Sequence, residues 1–172
     1  MKSKSIILHG IVALLMTSVS ATVWALPSDR EKPIHISSDS AERNEKKGIT
    51  IYTGSVQMDQ GTLRINADKV VIHSVNNEIE KIVATGQPAK YQQKPSVEKQ
   101  MVIAKGDTIE YMPENEKLFL INNASLRQND GTTMTGKRID YDIKESLVKA
   151  KGNKSNAKDE RIHMVIQPKR KQ

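Results

Sequence analysis

Apolar and polar residues alternate along nearly the whole chain after residue 33. Ile34 and Ile36 alternate with polar neighbours, as do Ile49 and Ile51, Val56 and Met58, and Leu63, Ile65 and Ala67. The pattern continues through Val70 and Ile72, Met101 and Ile103, Ile109 and Tyr111, Leu118 and Leu120, and Ala124 and Leu126. It closes with Ile139, Tyr141 and Ile143, then Ile162, Met164 and Ile166. A period of two gives each segment one apolar face, the signature of a half-buried β-strand. Turn-forming residues separate the segments at Asn76-Asn77, Pro113 to Asn115 and Asp130-Gly131. Short, regular strands of this kind predict an all-β sandwich, barrel or roll. No amphipathic helical period stands out beside them.

Self-comparison adds a repeat. A small residue, a charged residue, any residue and an apolar residue occur in that order at Ala67-Asp68-Lys69-Val70, Gly106-Asp107-Thr108-Ile109 and Gly136-Lys137-Arg138-Ile139. A weaker copy is Ser38-Asp39-Ser40-Ala41. A second motif lies between these copies, at Gly54-Ser55-Val56, Gly86-Gln87-Pro88-Ala89, Asn122-Asn123-Ala124 and Gly152-Asn153. Copies recur about every thirty residues, which predicts stacked units that share one core. The polar stretch Gln92 to Gln100, with Pro95, interrupts the spacing and is expected to be a surface loop of the middle repeat. Arg161 to Gln167 is expected to be a last strand.

The ends set the compartment and the domain limits. Lys2 and Lys4 precede an apolar run that closes at Val23-Trp24-Ala25. This is the pattern of a secretory signal cleaved after Ala25. Residues 26–32 are expected to form a flexible lead, 33–167 one β domain, and 168–172 a basic disordered tail. The chain has no cysteine, so no disulfide, thiol nucleophile or cysteine metal site exists. Its formal net charge of +7 falls to +5 without Lys2 and Lys4. A basic exported surface suits phosphorylated or acidic surface molecules, and export sets nucleic acid aside.

Catalytic chemistry is not supplied in any recognisable arrangement. His35, His73 and His163 are far apart, without metal-ligand spacing. There is no Gly-Xaa-Ser-Xaa-Gly elbow and no phosphate-cradling glycine loop. Asp107, Glu110, Asp140 and Asp142 are candidate carboxylates, but alternation puts most of them on outer faces. No catalytic residue, metal or cofactor is assigned. Beyond residue 25 the aromatic residues are Tyr52, Tyr91, Tyr111, Tyr141 and Phe119. An interior of isoleucine, valine, leucine and methionine suits acyl chains better than sugar rings.

Three stretches carry a family resemblance: PIHISSDSAE from Pro33, SVQMDQGTLRINADKVVIH from Ser55 to His73, and ASLRQNDGTTMTGKRIDYD from Ala124. Over roughly Pro33 to Gly152 the chain resembles the periplasmic lipopolysaccharide-transport protein A family of Gram-negative bacteria, in the OstA-like superfamily. Pro113, which interrupts a strand, and the segment after Gly152 depart from the family pattern. The resemblance implies a twisted antiparallel β-jellyroll, a slightly open, V-shaped sleeve of about sixteen strands. It also implies that lipid A acyl chains lie on the apolar inner face with the phosphorylated saccharide outside. Implied partners are lipopolysaccharide, further copies joined head to tail, an inner-membrane-anchored jellyroll protein, and the periplasmic domain of an outer-membrane translocon. The candidate lipid-facing residues are Ile34 and Ile36 at the N-terminal mouth, and Tyr91, Tyr111 and Phe119 on strands that line the family's groove. Core packing is the competing role for Ile36 and Phe119. Alternation also forces Phe119 to the face opposite Leu118 and Leu120, without saying which face is inside. Two other functions stay open: the membrane-anchored partner of the same transport system, and an enzyme on a β-solenoid scaffold acting on acidic polysaccharide.

Overall fold

A computed structural model describes residues 29–168 except 97, 156 and 157, and only the backbone at 153–160. Twelve strands are present among the described residues. They are β1 (His35–Ser37), β2 (Ser40–Asn44), β3 (Ile49–Gln60), β4 (Leu63–Val75), β5 (Glu78–Gln93), β6 (Val102–Met112), β7 (Lys117–Gln128), β8 (Thr133–Asp142), β9 (Leu147–Lys151), β10 (Asn153–Ser155), β11 (Lys158–Glu160) and β12 (His163–Val165). Ten of them form one antiparallel sheet in the order β1-β3-β4-β5-β6-β7-β8-β12, with β2 also on β3 and β9 also on β8. β10 and β11 pair only with each other. Tight turns make this a meander, in which each strand lies beside its neighbour in sequence.

The long strands are not straight. Each ladder from β3/β4 to β7/β8 slips register near its middle: after Thr53, after Asn66, after Thr85, after Lys105 and after Ile121 on the respective leading strands. The slips stack into one crease across the sheet, as bulges do where a sheet turns a corner. Both repeat motifs fall on this crease. In β4, β6 and β8 the four-residue motif runs inward, outward, outward, inward: Ala67 and Val70, Gly106 and Ile109, and Gly136 and Ile139 point inside around two polar residues. In β3 and β7 the crease uses two consecutive positive-φ residues, Gly54 and Ser55, then Asn122 and Asn123. Gly54 at φ 87° takes a conformation most side chains avoid. The repeat of about thirty residues is therefore one hairpin of two creased strands.

The two half-sheets face each other. Tyr91 lies on one side of the crease and Tyr111 on the other, yet their rings meet edge to face with centroids 5.5 Å apart. The smallest inward residues cluster at the crease, and those beyond it are larger except Ala84 and Ala104. The innermost pairs are Val56–Ala67, Ala89–Gly106 and Ala124–Gly136. Next come Val70, Ile109, Leu120 and Ile139 on one side and Met58, Ile65 and Leu126 on the other, all buried. A Cβ on Gly106 would lie 3.1 Å from the Thr108 carbonyl oxygen and 3.3 Å from the Ile121 nitrogen, so only glycine fits there without displacement. Small residues at the corner and large ones beyond it make a wedge. The sheet stays open, because its edge strands do not pair with each other.

Three segments are set more finely than the sequence expects. Residues 29–31, within the expected lead, form a 3-10 turn bonded to the sheet through Asp29 and Thr62. The middle loop begins at Lys94, because Gln92 and Gln93 complete β5. The last strand is shorter than Arg161 to Gln167, spanning His163–Val165. The signal-peptide assignment, residues 26–28 and the tail beyond residue 168 lie outside the described residues.

Candidate functional site

Two apolar tracks run the full length of the trough between the half-sheets. On one side of the crease, paired residues follow as Ile36, Met58, Ile65, Tyr91, Ala104, Leu126, Met134 and Met164. On the other side they follow as Ala41, Tyr52, Val70, Ala84, Ile109, Leu120, Ile139 and Ala150. Each track starts on one edge of the sheet and ends on the other, with no polar residue in either. The crease makes this continuity: it shifts the alternation by one residue in β4, β5, β6 and β8, while β3 and β7 pass through it in phase on two positive-φ residues, so that both halves turn an apolar face inward.

The middle of the tracks is closely packed and the ends are not. Ile65, Val70, Ala84, Ala104, Ile109, Leu120 and Ile139 are fully buried. At the N-terminal mouth the chain supplies only the short strands β1 and β2. A cleft of about 770 Å³ opens there, lined by Ile34, Ile36, Tyr52, Ile72 and Ile79, with Arg43, Lys46 and Lys47 at its margin. A second cleft of about 500 Å³ shares Ile34 and Ile79 and reaches Ile82. At the C-terminal end Met164 is 51% exposed and Ile166 69% exposed. An apolar surface thus emerges at both ends.

The predicted site residues divide. Ile34 and Ile36 stand together, half-buried, at the N-terminal mouth. Tyr91 and Tyr111 lie in the packed middle, 1% and 3% exposed. The Tyr91 hydroxyl donates to Gln93 Oε1 at 2.5 Å. Burial holds the Tyr91 phenol well above its ordinary range, and the Tyr111 ring adds to the effect. Burial raises Tyr111 to about 12, against a smaller opposing hydrogen bond from Gln93. Both phenols are neutral at neutral pH and act as packing groups. Phe119 is not with them. Leu118 and Leu120 take the inner positions, so Phe119 faces outward, with the Arg138 guanidinium 5.2 Å above its ring.

Three of the four candidate carboxylates, Asp107, Asp140 and Asp142, are held by outward partners. Asp107 accepts from Asn123 Nδ2 at 2.8 Å, Asp140 from Arg138 Nε at 2.6 Å, and Asp142 from the Glu145 amide at 3.0 Å. Asp59, opposite His35 on the edge ladder, bonds Gln57 and Arg64, and these bonds hold its carboxyl below the usual range. Among the described residues no group of three or more His, Cys, Asp or Glu side chains is placed to hold a metal ion. Sequence reasoning missed Met134 and Met164, which extend the first track, and Ile79, which lines both clefts. Met164 was visible as part of an alternating segment, but its place on the inner face depends on pairing with Met134 across the sheet.

The family model of the LptA/(LptD N-terminal domain) LPS transport protein matches residues 35–147. The lipopolysaccharide export system protein LptH of Pseudomonas aeruginosa is 37% identical over 169 residues, covering 96% of this chain and 94% of its own. The lipopolysaccharide export system protein LptA of Haemophilus influenzae is 35% identical, over 80% of this chain and 81% of its own. Its namesake in Escherichia coli K12 is 30% identical, over 97% and 88%. The crystal structure of LptH, the LptA-homologous periplasmic component of the conserved lipopolysaccharide transport device of P. aeruginosa, superposes with a TM-score of 0.74. That match has 36% identity and covers 83% of this chain and all of the other.

Proposed function

The chain belongs to the LptA/LptH family of lipopolysaccharide transport proteins, and from that premise we propose that it is a periplasmic bridge carrying lipopolysaccharide from the inner to the outer membrane without catalysing a reaction. The observation that carries the mechanism is the pair of apolar tracks running unbroken from one sheet edge to the other. Acyl chains of lipid A lie along them, and the phosphorylated saccharide stays outside. Burial is worth about 0.8 kcal/mol per methylene, so a chain of about a dozen carbons costs on the order of 10 kcal/mol to expose. Lipid A has several such chains, and release into water between carriers is too slow to serve transport. A continuous apolar surface removes that step.

Sheet edges supply the joints. β1 and β2 border one end and β9 and β12 the other, each with no strand partner on its outer side among the described residues. Pairing the end of one copy with the start of the next is a heterologous contact, which propagates until a different partner caps it. Met164 of one copy then continues toward Ile36 of the next. An inner-membrane-anchored jellyroll protein caps one terminus, and the periplasmic domain of the outer-membrane translocon caps the other. The bent strands β3 to β8, together with β1, β2, β9 and β12, amount to sixteen straight segments when each is counted on either side of the crease. That count supports a V-shaped jellyroll.

Of the candidate residues, Ile34, Ile36, Tyr91 and Tyr111 are assigned to acyl chains, and Phe119 to the outer surface. A photo-crosslinking residue at Ile36 or Tyr91 is expected to form adducts with lipopolysaccharide, and one at Phe119 to form none. Folded protein that gives no adduct at either inner position overturns the groove.

A further inference from the structure

Only two polar side chains are buried among the described residues, Gln60 at 8% exposure and Gln93 at 6%. Both occupy inward positions where the strand pattern calls for an apolar residue. Burying an amide is costly unless it is bonded, and both amides are bonded to the same short segment. Gln60 Nε2 donates to the Lys32 and Arg30 carbonyls at 3.0 and 3.3 Å. Gln93 Nε2 donates to Asp29 Oδ2 at 3.1 Å. Asp29 also accepts from the Thr62 amide at 2.7 Å and the Thr62 hydroxyl at 2.5 Å. All of these partners lie on one rim of the trough, at the β3–β4 turn and the end of β5.

Arg30 reaches the other rim. Its Nη1 donates to the Pro113 carbonyl at 3.1 Å and more weakly to that of Glu114 at 3.5 Å, and its Nη2 lies 3.9 Å from Glu116 Oε1. These are residues of the β6–β7 turn. Residues 29–32 therefore cross the open side of the trough above the Tyr91–Tyr111 contact. Farther along, the Lys99 ammonium makes a second crossing to the Ile143 and Lys144 carbonyls. No strand pairing joins the rims at either place.

The packed middle leaves no room for a hydrocarbon chain between the half-sheets. Inserting one needs the facing surfaces to part by about 4 Å, the contact distance of one carbon layer. The crease is continuous backbone, so the parting must occur at the rims, where solvent-accessible polar bonds exchange for water with little net loss. A chain entering between Tyr91 and Tyr111 also displaces Gln93, which is bonded to both Tyr91 and Asp29. We propose that residues 29–32 are a latch: docked, they hold the rims together over Tyr91 and Tyr111, and undocked, they let the half-sheets part to admit acyl chains. Cargo in the middle of the trough and a docked latch then oppose each other. This inference rests on the lipid-carrying reading above.

The chain contains no cysteine, so a specific crosslink is available. Arg30→Cys/Glu116→Cys, joined by a reducible bifunctional methanethiosulfonate reagent, fixes the latch to the far rim. The probe is fluorescently labelled lipopolysaccharide, and circular dichroism and thermal unfolding verify the fold of each form. The joined form is expected to take up the probe at least tenfold more slowly than the parent, and reduction is expected to restore uptake. The same variant with each thiol capped singly by a methyl group is expected to match or exceed the parent, and Asp29→Ala to exceed it about threefold. Equal uptake by the joined and reduced forms overturns the latch alone, as does slow uptake by the singly capped form. A parent protein that takes up no lipopolysaccharide overturns the lipid-carrying reading and the latch together.

Discussion

The crease and the rims close the same trough by different means. At the crease the two half-sheets are joined by their own backbone, and the residues inside the corner are small: Val56, Ala67, Ala89, Gly106, Ala124 and Gly136. At the rims, the side chains of Arg30 and Lys99 reach across without any strand pairing. One side is held by dense packing that resists any change of volume. The other is held by hydrogen bonds whose partners are largely in water. The molecule is therefore hinged by construction, rigid along its spine and separable along its opening.

The largest expected effect lies at the spine. Gly106→Leu puts a branched side chain where even a Cβ meets backbone at 3.1 Å. It is expected to cost ~3 kcal/mol in urea unfolding, at the upper end for overpacking. A loss below about 1 kcal/mol would mean that the corner is not close-packed.

Next comes alkaline pH, which probes the rows nearer the rims. Tyr111 has a folded-state pKa of about 12 against 10.0 when unfolded. Above pH 10 the unfolded chain releases this proton while the folded chain keeps it, so stability falls as pH rises from 10 to 12. The loss is about 2–3 kcal/mol for a shift of this size. Tyr111→Phe should flatten that part of the stability profile, and an unchanged profile would show that Tyr111 is not buried in the folded protein.

The smallest effect lies at the rim itself. Glu116→Gln removes an ion pair whose side chains are 45% and 37% exposed. Chemical denaturation should register a change of at most ~0.5 kcal/mol. A loss several times larger would place part of the spine's rigidity in the rims and dissolve the contrast.

Much of this arrangement was legible in the sequence. Alternation located the strands, and the repeat motifs marked positions that prove to be the crease. What alternation could not show is that the crease changes the phase of a strand. In β4 the inward residues are Leu63, Ile65 and Ala67, then Val70 and Ile72, so one strand resembles two. The face of Phe119 was undecidable for a related reason. Its neighbours Leu118 and Leu120 have similar hydrophobicity, and only pairing with Tyr141 and Ile139 puts the leucines inside. The contacts of residues 29–32 left no pattern in that polar segment. Their trace was elsewhere, in Gln60 and Gln93, two amides standing at apolar phases of their strands.

The crease has a further consequence for how such a molecule changes over generations. Every hairpin brings its own bend, its own pair of small corner residues and its own share of both tracks. Duplicating or deleting one hairpin would alter how far the protein reaches and leave the cross-section of its channel as it was. Reach and bore are separate variables in this architecture, so a lineage can lengthen or shorten the sheet without redesigning its inner apolar face.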